Sequence, residues 1–198
     1  DSKFLTTYKY DSFFQNNELS SDFNHSVLID FDGKLNLNSF QGRGYTAEII
    51  DAPGNIGYPE AIETVIGEPK AIIFREIETS SLLKVKGWNI NLGNQNIWEL
   101  DIFSLDSFIN LSDLKLLPSK LSGTGEIFLG PNLEIDNLSL SGNYEVTVPN
   151  DLSILVKGQA QVPDQWLNAS VGNLNNPDKT YTVVIEIIDG SQVIFKDG

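Results

Sequence analysis

Apolar and polar residues alternate along much of this chain, and this period of two constrains the fold more than any other feature. The clearest alternating runs are 98–102, 144–148, 181–187 and 193–195. Alternation of this kind directs one set of side chains into a core and the other set towards solvent, as in half-buried β-strands. The sequence therefore predicts a chain built mainly from β-strands.

Turn-forming residues separate the alternating runs. They fall at Asp32-Gly33, Gly93-Asn94, 130–132, 141–143 and Asp189-Gly190. An Asp-Gly pair suits the positive φ angles of a two-residue hairpin. Roughly a dozen short strands, with a turn every ~8–12 residues, predict an antiparallel β-sandwich or barrel-like domain.

Departures from the alternation refine this prediction. Its phase slips at Gly87 and again across 136–137, which indicates bulged strands. Residues 59–67 begin with a Pro and end with a Gly, and 11–23 is a second weak helix candidate, so we expect at most two short helices. Residues 121–125 and 138–142 echo each other faintly, which is too little to predict a repeat architecture.

The alternation also predicts which side chains are buried. The predicted core residues are Trp88, Ile90, Trp98, Leu100, Ile102, Tyr144, Val146, Val148, Val183 and Ile185. A length of 198 residues fits one domain spanning 1–198. The Pro- and Gly-rich segment 51–70 leaves a subdivision near that point open.

Composition excludes several partners and sites. The chain has 13 basic against 27 acidic residues, a formal charge of −14, and no Cys. This charge repels phosphate backbones and anionic headgroups, so we expect no nucleic-acid binding. With one His and no Cys, the usual zinc sites and all disulfides are excluded.

The start of the chain suggests where the protein acts. The chain begins at Asp1 and contains neither Met nor Cys, the two side chains most easily oxidised. We expect that a preceding segment, a secretory signal or membrane anchor, was removed or is absent. The sequence thus predicts an extracellular or cell-surface location, with membrane contact only through that segment.

Catalytic chemistry has little support in the sequence. The single His25 has no Gly-x-Ser-x-Gly motif or comparable nucleophile signature to accompany it. The 27 acidic residues leave a carboxylate-dependent glycan-active enzyme open as a less favoured alternative, although no pair is marked. We predict a protein that is not an enzyme and that needs no cofactor.

Three kinds of candidate site remain. Asp30 and Asp32 precede Gly33 in a fragment that suits either a hairpin turn or a shared calcium site. Trp166, flanked by polar residues, is the one of the three Trp residues that we predict to be exposed, and it could bind a ligand. Four Asn-x-Ser/Thr sequons are candidates for glycosylation, at Asn24, Asn110, Asn137 and Asn168.

The N-terminal residues suggest an assembly function. The β-prone segment 4–10 has no hairpin partner beside it, so it could add to the sheet edge of a neighbouring subunit. Repeated donation would build a filament from copies of this chain or other surface proteins. The alternative is a monomeric carbohydrate- or ligand-binding module. The proposed assembly residues are Phe4, Leu5, Thr6, Tyr8 and Tyr10.

Overall fold

The computed structural model describes residues 13–50, 58–64, 71–77, 85–169, 172–178 and 181–198. These residues form strands, turns and bends but no helix. The strands in chain order are β1 (Phe13–Asn16), β2 (Asn24–Phe40), β3 (Tyr45–Ile50), β4 (Tyr58–Thr64), β5 (Ala71–Ile77), β6 (Gly87–Gly93), β7 (Ile97–Asn110), β8 (Lys115–Leu116), β9 (Ser119–Phe128), β10 (Asn137–Val148), β11 (Ile154–Lys157), β12 (Leu167–Ala169), β13 (Gly172–Leu174), β14 (Val183–Ile187) and β15 (Gln192–Asp197).

The predicted all-β class is confirmed, whereas the predicted antiparallel arrangement is wrong for the centre of the sheet. The long strands run parallel, from β6 through β2, β7 and β9 to β10. β10 continues in parallel with β14 and β15. In the described residues, antiparallel pairs lie at the two ends of the strand order, where β1 and β3 flank β6 and where β13 and β12 follow β11. A further antiparallel pair, β4 with β5, branches from β2, beside which β5 runs parallel.

The strands run parallel because, after each strand, the chain returns to the side of the sheet on which that strand began. Asp101 of β7 pairs with Lys120 of β9, which pairs with Ser139 of β10, each step being 19 positions along the chain. These three strands therefore lie beside one another as in stacked coils, and the offset between β7 and β9 falls to 18 beyond their register shift, where Ser107 pairs with Gly125.

The two helix candidates are strands or turns in the described residues. Tyr58–Thr64 pairs antiparallel with Ala71–Ile77 along its whole length, and Phe13–Asn16 pairs with β3. Backbone pairing across the sheet satisfies the N–H and C=O groups that a helix would satisfy locally. Pro59 is tolerated because β4 pairs only with β5 among the described strands.

A sharp corner divides the long strands. β2 continues through Asp32-Gly33, so the predicted hairpin there is wrong, and its register against β7 shifts between Phe31 and Lys34. The register of β7 against β9 shifts between Ser104 and Ser107. Bulged strands are thus confirmed, at positions other than those predicted.

The structure has no bulge at either of the two predicted positions. Gly87 begins β6, whose pairing with β2 and β3 is regular. The change of facing at 136–137 is a bend between an isolated bridge at Glu134 and the start of β10.

Small residues stack at the corner and let the strands approach closely. Gly123 has φ +116°, and a Cβ there would lie 1.9 Å from the carbonyl oxygen of Ser104. Gly142 has φ +122°, and its Cβ would lie 2.0 Å from the carbonyl oxygen of Gly123. We call Gly33, Ser104, Gly123 and Gly142 the corner column, in which the Ser104 hydroxyl donates to the Gly33 carbonyl at 3.3 Å.

Side chains from both sides of the corner fill one core. The core cluster extends from Leu19 to Phe195, and all ten predicted core residues are buried. The single domain 1–198 stays a prediction, and residues 51–57 and 65–70 lie outside the described residues. In the part of the chain that is described, no helix is long and apolar enough to cross a bilayer.

Candidate binding surface

Strand β7 exposes three large apolar side chains around the corner. Phe103, Leu105 and Phe108 are 37%, 50% and 41% exposed, respectively. Alternation places Phe103 outward, and the register shift between Ser104 and Ser107 allows Phe108 to face outward beyond the corner. We call these three residues the β7 ridge. Exposed aromatic side chains of this kind are typical of interaction sites.

A row of polar groups leads to Phe108 across the outer face of the sheet. Glu48 pairs with Asn89, Asn89 with Asn36, and Asn36 with Phe108, which pairs in turn with Glu126. We call these five residues the amide row. Since neighbouring strands lie ~4.8 Å apart, the row extends over roughly 19 Å.

Hydrogen bonds hold the amides of this face in place. The Asn36 amide nitrogen donates to Asn89 Oδ1 at 2.8 Å. In the adjacent row, the Asn91 amide nitrogen donates to Thr46 Oγ1 at 3.0 Å. Within the described residues, the Asn89 amide nitrogen and the Asn36 and Asn91 amide oxygens have no further partner, and these side chains are only half-buried. They present one amide NH₂ group and two amide oxygens to solvent.

A separate groove lies beside the start of β7. It encloses about 560 Å³ between Ile97, Leu117 and Tyr181. Its polar groups already pair with one another, since the Tyr181 hydroxyl donates to the Ile135 carbonyl and to Asp136 Oδ1, and Lys115 lies 3.6 Å from Glu134. Desolvation and the Asp136 carboxylate raise the pKa of Tyr181 above its ordinary value. The groove therefore offers few free polar groups.

His25 is a structural residue in this fold. It is only 2% exposed, and its Nε2 lies 2.8 Å from the carbonyl oxygen of Ser20. Its ring packs against Trp98 at a centroid distance of 5.6 Å. Asn96 donates to the same Ser20 carbonyl at 3.0 Å, so both side chains anchor the chain before β2. Among the described residues, His25 makes no hydrogen bond to a carboxylate.

Asp30 and Asp32 lie on exposed positions of one continuous strand. Asp30 pairs in register with Arg75 on one side and Phe103 on the other. No group of three or more His, Cys, Asp or Glu residues that could hold a metal ion occurs in the part of the chain that the structure describes. A shared calcium site at Asp30 and Asp32 stays a prediction.

Trp166 is buried, so the expectation that it presents an exposed ring is wrong. It is 7% exposed, its indole N–H donates to Asp197 Oδ1 at 3.0 Å, and its ring packs 5.6 Å from that of Phe195. The Gln161 N–H donates to the Val193 carbonyl at 2.9 Å. Residues 161–166 therefore cover the outer edge of β15. The predicted ligand-binding role for Trp166 depended on an exposed ring, which the structure does not have.

The four sequons differ in accessibility. Asn24 and Asn168 are exposed, whereas Asn110 and Asn137 are half-buried. The side-chain oxygen Oδ1 of Asn110 accepts hydrogen bonds from both the backbone N–H and the hydroxyl of Ser112. Glycosylation stays a prediction, with Asn24 and Asn168 the more accessible acceptors. The assembly segment 4–10 lies outside the described residues.

The amide row and the β7 ridge were not predicted from the sequence. Two Asn-x-Asn patterns, at 36–38 and 89–91, have the spacing that places both amides on one face of a strand. These patterns could have indicated an amide-rich face. Their pairing across strands depends on a parallel register, which the sequence did not predict.

Comparison with known proteins bears on the fold. No family model and no curated protein matches the sequence. Among solved structures, the chain resembles a protein described as a "putative cell adhesion protein" from Clostridium sporogenes ATCC 15579. The TM-score is 0.69, with 15% identity, over 93% of this chain and 97% of that chain. At this identity the likeness shows a shared fold.

Proposed function

We propose that this chain is a non-enzymatic binding module at the cell surface, which makes contact through the part of the outer face that carries the amide row, including Phe108. The observation that carries the proposal is the exposure of Phe108 beside two amides fixed by a hydrogen bond. A soluble protein gains nothing in its own stability by leaving a phenyl ring in water, whereas a contact surface gains by burying it on binding.

The distant structural neighbour supports the same proposal. Its description as a "putative cell adhesion protein" applies to that protein, and a surface role for the present chain agrees with it. The absence of Met and Cys from the sequence suits an oxidising environment as well.

Two measurements test the proposal. Antibodies against the chain should label intact, unpermeabilised cells of the organism that produces it, whereas antibodies against a cytoplasmic marker should not. Beads coated with the chain should adhere to envelope material from the same organism. Label that appears only after permeabilisation would contradict the surface location.

Matched variants connect adhesion to the proposed face. Phe108→Ala should reduce bead adhesion, because it removes the ring beside the fixed amides. Phe103→Ala removes a similarly exposed ring from the same strand on the other side of the corner and should leave adhesion nearly unchanged. Equal adhesion by both variants and the unaltered chain would mean that this face is not the contact surface.

Self-assembly is a second candidate function. Residues 4–10 precede β1, which is the first strand in the order of the sheet. A β-prone segment that precedes an edge strand in the sequence can add to a sheet edge, either in its own subunit or in a neighbour. Removing these residues distinguishes a filament subunit from a monomeric module.

A further inference from the structure

We infer that the amide row binds an uncharged oligosaccharide chain, with Phe108 as the stacking residue. The inference rests on the proposed function and names the ligand class of the same face. It follows from three properties of the row, which are its chemistry, its charge and its rigidity.

The chemistry of the row matches that of a sugar ring. A pyranose presents hydroxyl groups that both donate and accept hydrogen bonds, and it has an apolar face of C–H groups. Asn89 and Asn36 offer a free amide N–H donor and a free amide carbonyl acceptor on adjacent strands. Phe108, on the next strand, offers a 41% exposed ring against which C–H groups can pack.

The charge distribution favours an uncharged ligand. The three central positions of the row, Asn89, Asn36 and Phe108, carry no charge, whereas Glu48 and Glu126 lie at its two ends. With a formal charge of −14 over the chain, an acidic glycan would be repelled from this face. A neutral polyol carries no such penalty, and the terminal carboxylates can accept hydrogen bonds from its hydroxyl groups.

The row is held rigid before any ligand arrives. The Asn36 to Asn89 hydrogen bond of 2.8 Å fixes two amides, and their strands pair in register from Lys34 to Phe40. Side chains that are already ordered lose less entropy on binding, which raises affinity.

The length of the row predicts how affinity depends on ligand size. Five paired strands extend over roughly 19 Å, so several sugar units can lie along the row at once. Beyond these five positions the register continues to Phe13 on β1 and to Glu145 on β10, so we expect affinity to rise from the monosaccharide to the hexamer.

Titrations with defined sugars test the inference. The probes are cellohexaose, chitohexaose, maltohexaose and mannohexaose, with hexagalacturonate as the anionic comparison. In ¹⁵N-labelled protein, at least one neutral hexamer should shift the side-chain amide signals of Asn36 and Asn89 saturably, and calorimetry should give the affinity. The anionic hexamer should bind at least tenfold more weakly.

Variants connect binding to the row. Phe108→Ala and Asn89→Asp should each lower the affinity about tenfold or more, while Phe103→Ala should change it less than twofold. Asn89→Asp keeps the size of the side chain but replaces the free donor with a charge. Circular dichroism and the urea midpoint of each variant show whether it retains the fold, and the affinity comparison uses the variants that do.

Several results would overturn the inference. The first is that no neutral hexamer shifts the side-chain amide signals saturably. The second is that Phe103→Ala and Phe108→Ala lower the affinity equally. The third is that the anionic hexamer binds more tightly than the neutral ones. If beads coated with the chain adhere but no neutral hexamer binds, the ligand class is wrong and the proposed function stands. If intact cells are not labelled and beads do not adhere, the proposed function itself is wrong.

Discussion

Replacing Gly123 with Ala tests whether the corner column holds the long strands together. Gly123 has φ +116°, and an added Cβ would lie 1.9 Å from the Ser104 carbonyl oxygen and 2.7 Å from its carbon. Both atoms belong to the backbone of β7, so no side-chain rotation can relieve the overlap. The strands at the corner would have to move apart.

The expected loss of stability has three contributions. A positive φ costs a residue with a Cβ about 1–2 kcal/mol. Forcing extra volume into a packed interior costs about 1–3 kcal/mol more. Ala also restricts the unfolded chain, which returns roughly 0.4–1 kcal/mol. We expect Gly123→Ala to lower the free energy of unfolding by about 2–4 kcal/mol, a large share of the ~5–15 kcal/mol typical of a folded domain.

Gly190→Ala provides the matched control. Gly190 also has a positive φ, +86°, but a Cβ there would meet no atom within 4 Å. Only the backbone contribution applies, so the expected loss is about 1 kcal/mol or less. The comparison isolates the cost of the close approach at the corner.

Urea unfolding followed by the fluorescence of the buried Trp88 and Trp98 measures both losses. With an m-value of ~2–3 kcal/mol/M, the midpoint of Gly123→Ala should lie about 1 M below that of the unaltered chain, at an unchanged slope. Equal midpoints for Gly123→Ala and Gly190→Ala would refute the argument, because the strands would then tolerate a Cβ at the corner.

Three further predictions follow from the structure. Tyr144 is 3% exposed and its hydroxyl has no partner among the described residues, so Tyr144→Phe should raise the free energy of unfolding by about 1 kcal/mol in urea; a decrease would mean that the hydroxyl is hydrogen-bonded. Burial raises the pKa of Tyr45 and Tyr144 well above the ordinary value of 10. Stability is therefore complete below pH 10 and falls as pH rises above it, since the unfolded chain releases those protons first; an alkaline titration of stability that stays flat above pH 10 would contradict this. Deleting residues 1–10 should leave soluble monomers if the segment donates a strand, and sedimentation of the full chain as a monomer at every concentration would exclude a filament.

The positions of strands and core residues could be predicted because alternation fixes which side chains face inward. All ten residues of the predicted core are buried, including Trp88 and Trp98, which are fully buried. Strand direction could not be predicted in the same way, since alternation is identical in parallel and antiparallel partners. The turn signals favoured hairpins, yet Asp32-Gly33 forms a bulge at the corner.

One sequence signal did carry the parallel register. Leu121-Ser122-Gly123 pairs residue by residue with Leu140-Ser141-Gly142. The echo is a three-residue identity at the offset of 19 positions, and it arises because β9 and β10 both place a Gly where the strands turn the corner, whereas β7 has Ser104 there. Its brevity explains why the sequence alone did not indicate stacked coils. Trp166 was misjudged for a different reason, because its polar neighbours do not reveal that the segment folds over an edge.

The ends of the sheet limit how this protein can make contacts. β1 and β3 run antiparallel at one end of the strand order, and β13 and β12 do so at the other. Residues 161–166 cover β15 with backbone hydrogen bonds and the packing of Trp166 on Phe195. Short or covered edges resist further strand addition. Contacts are therefore favoured on the outer faces, where Phe108 and the amide row lie, over these short or covered edges. Among the described strands β4 pairs only with β5, so it leaves one further seven-residue edge, which contains Pro59.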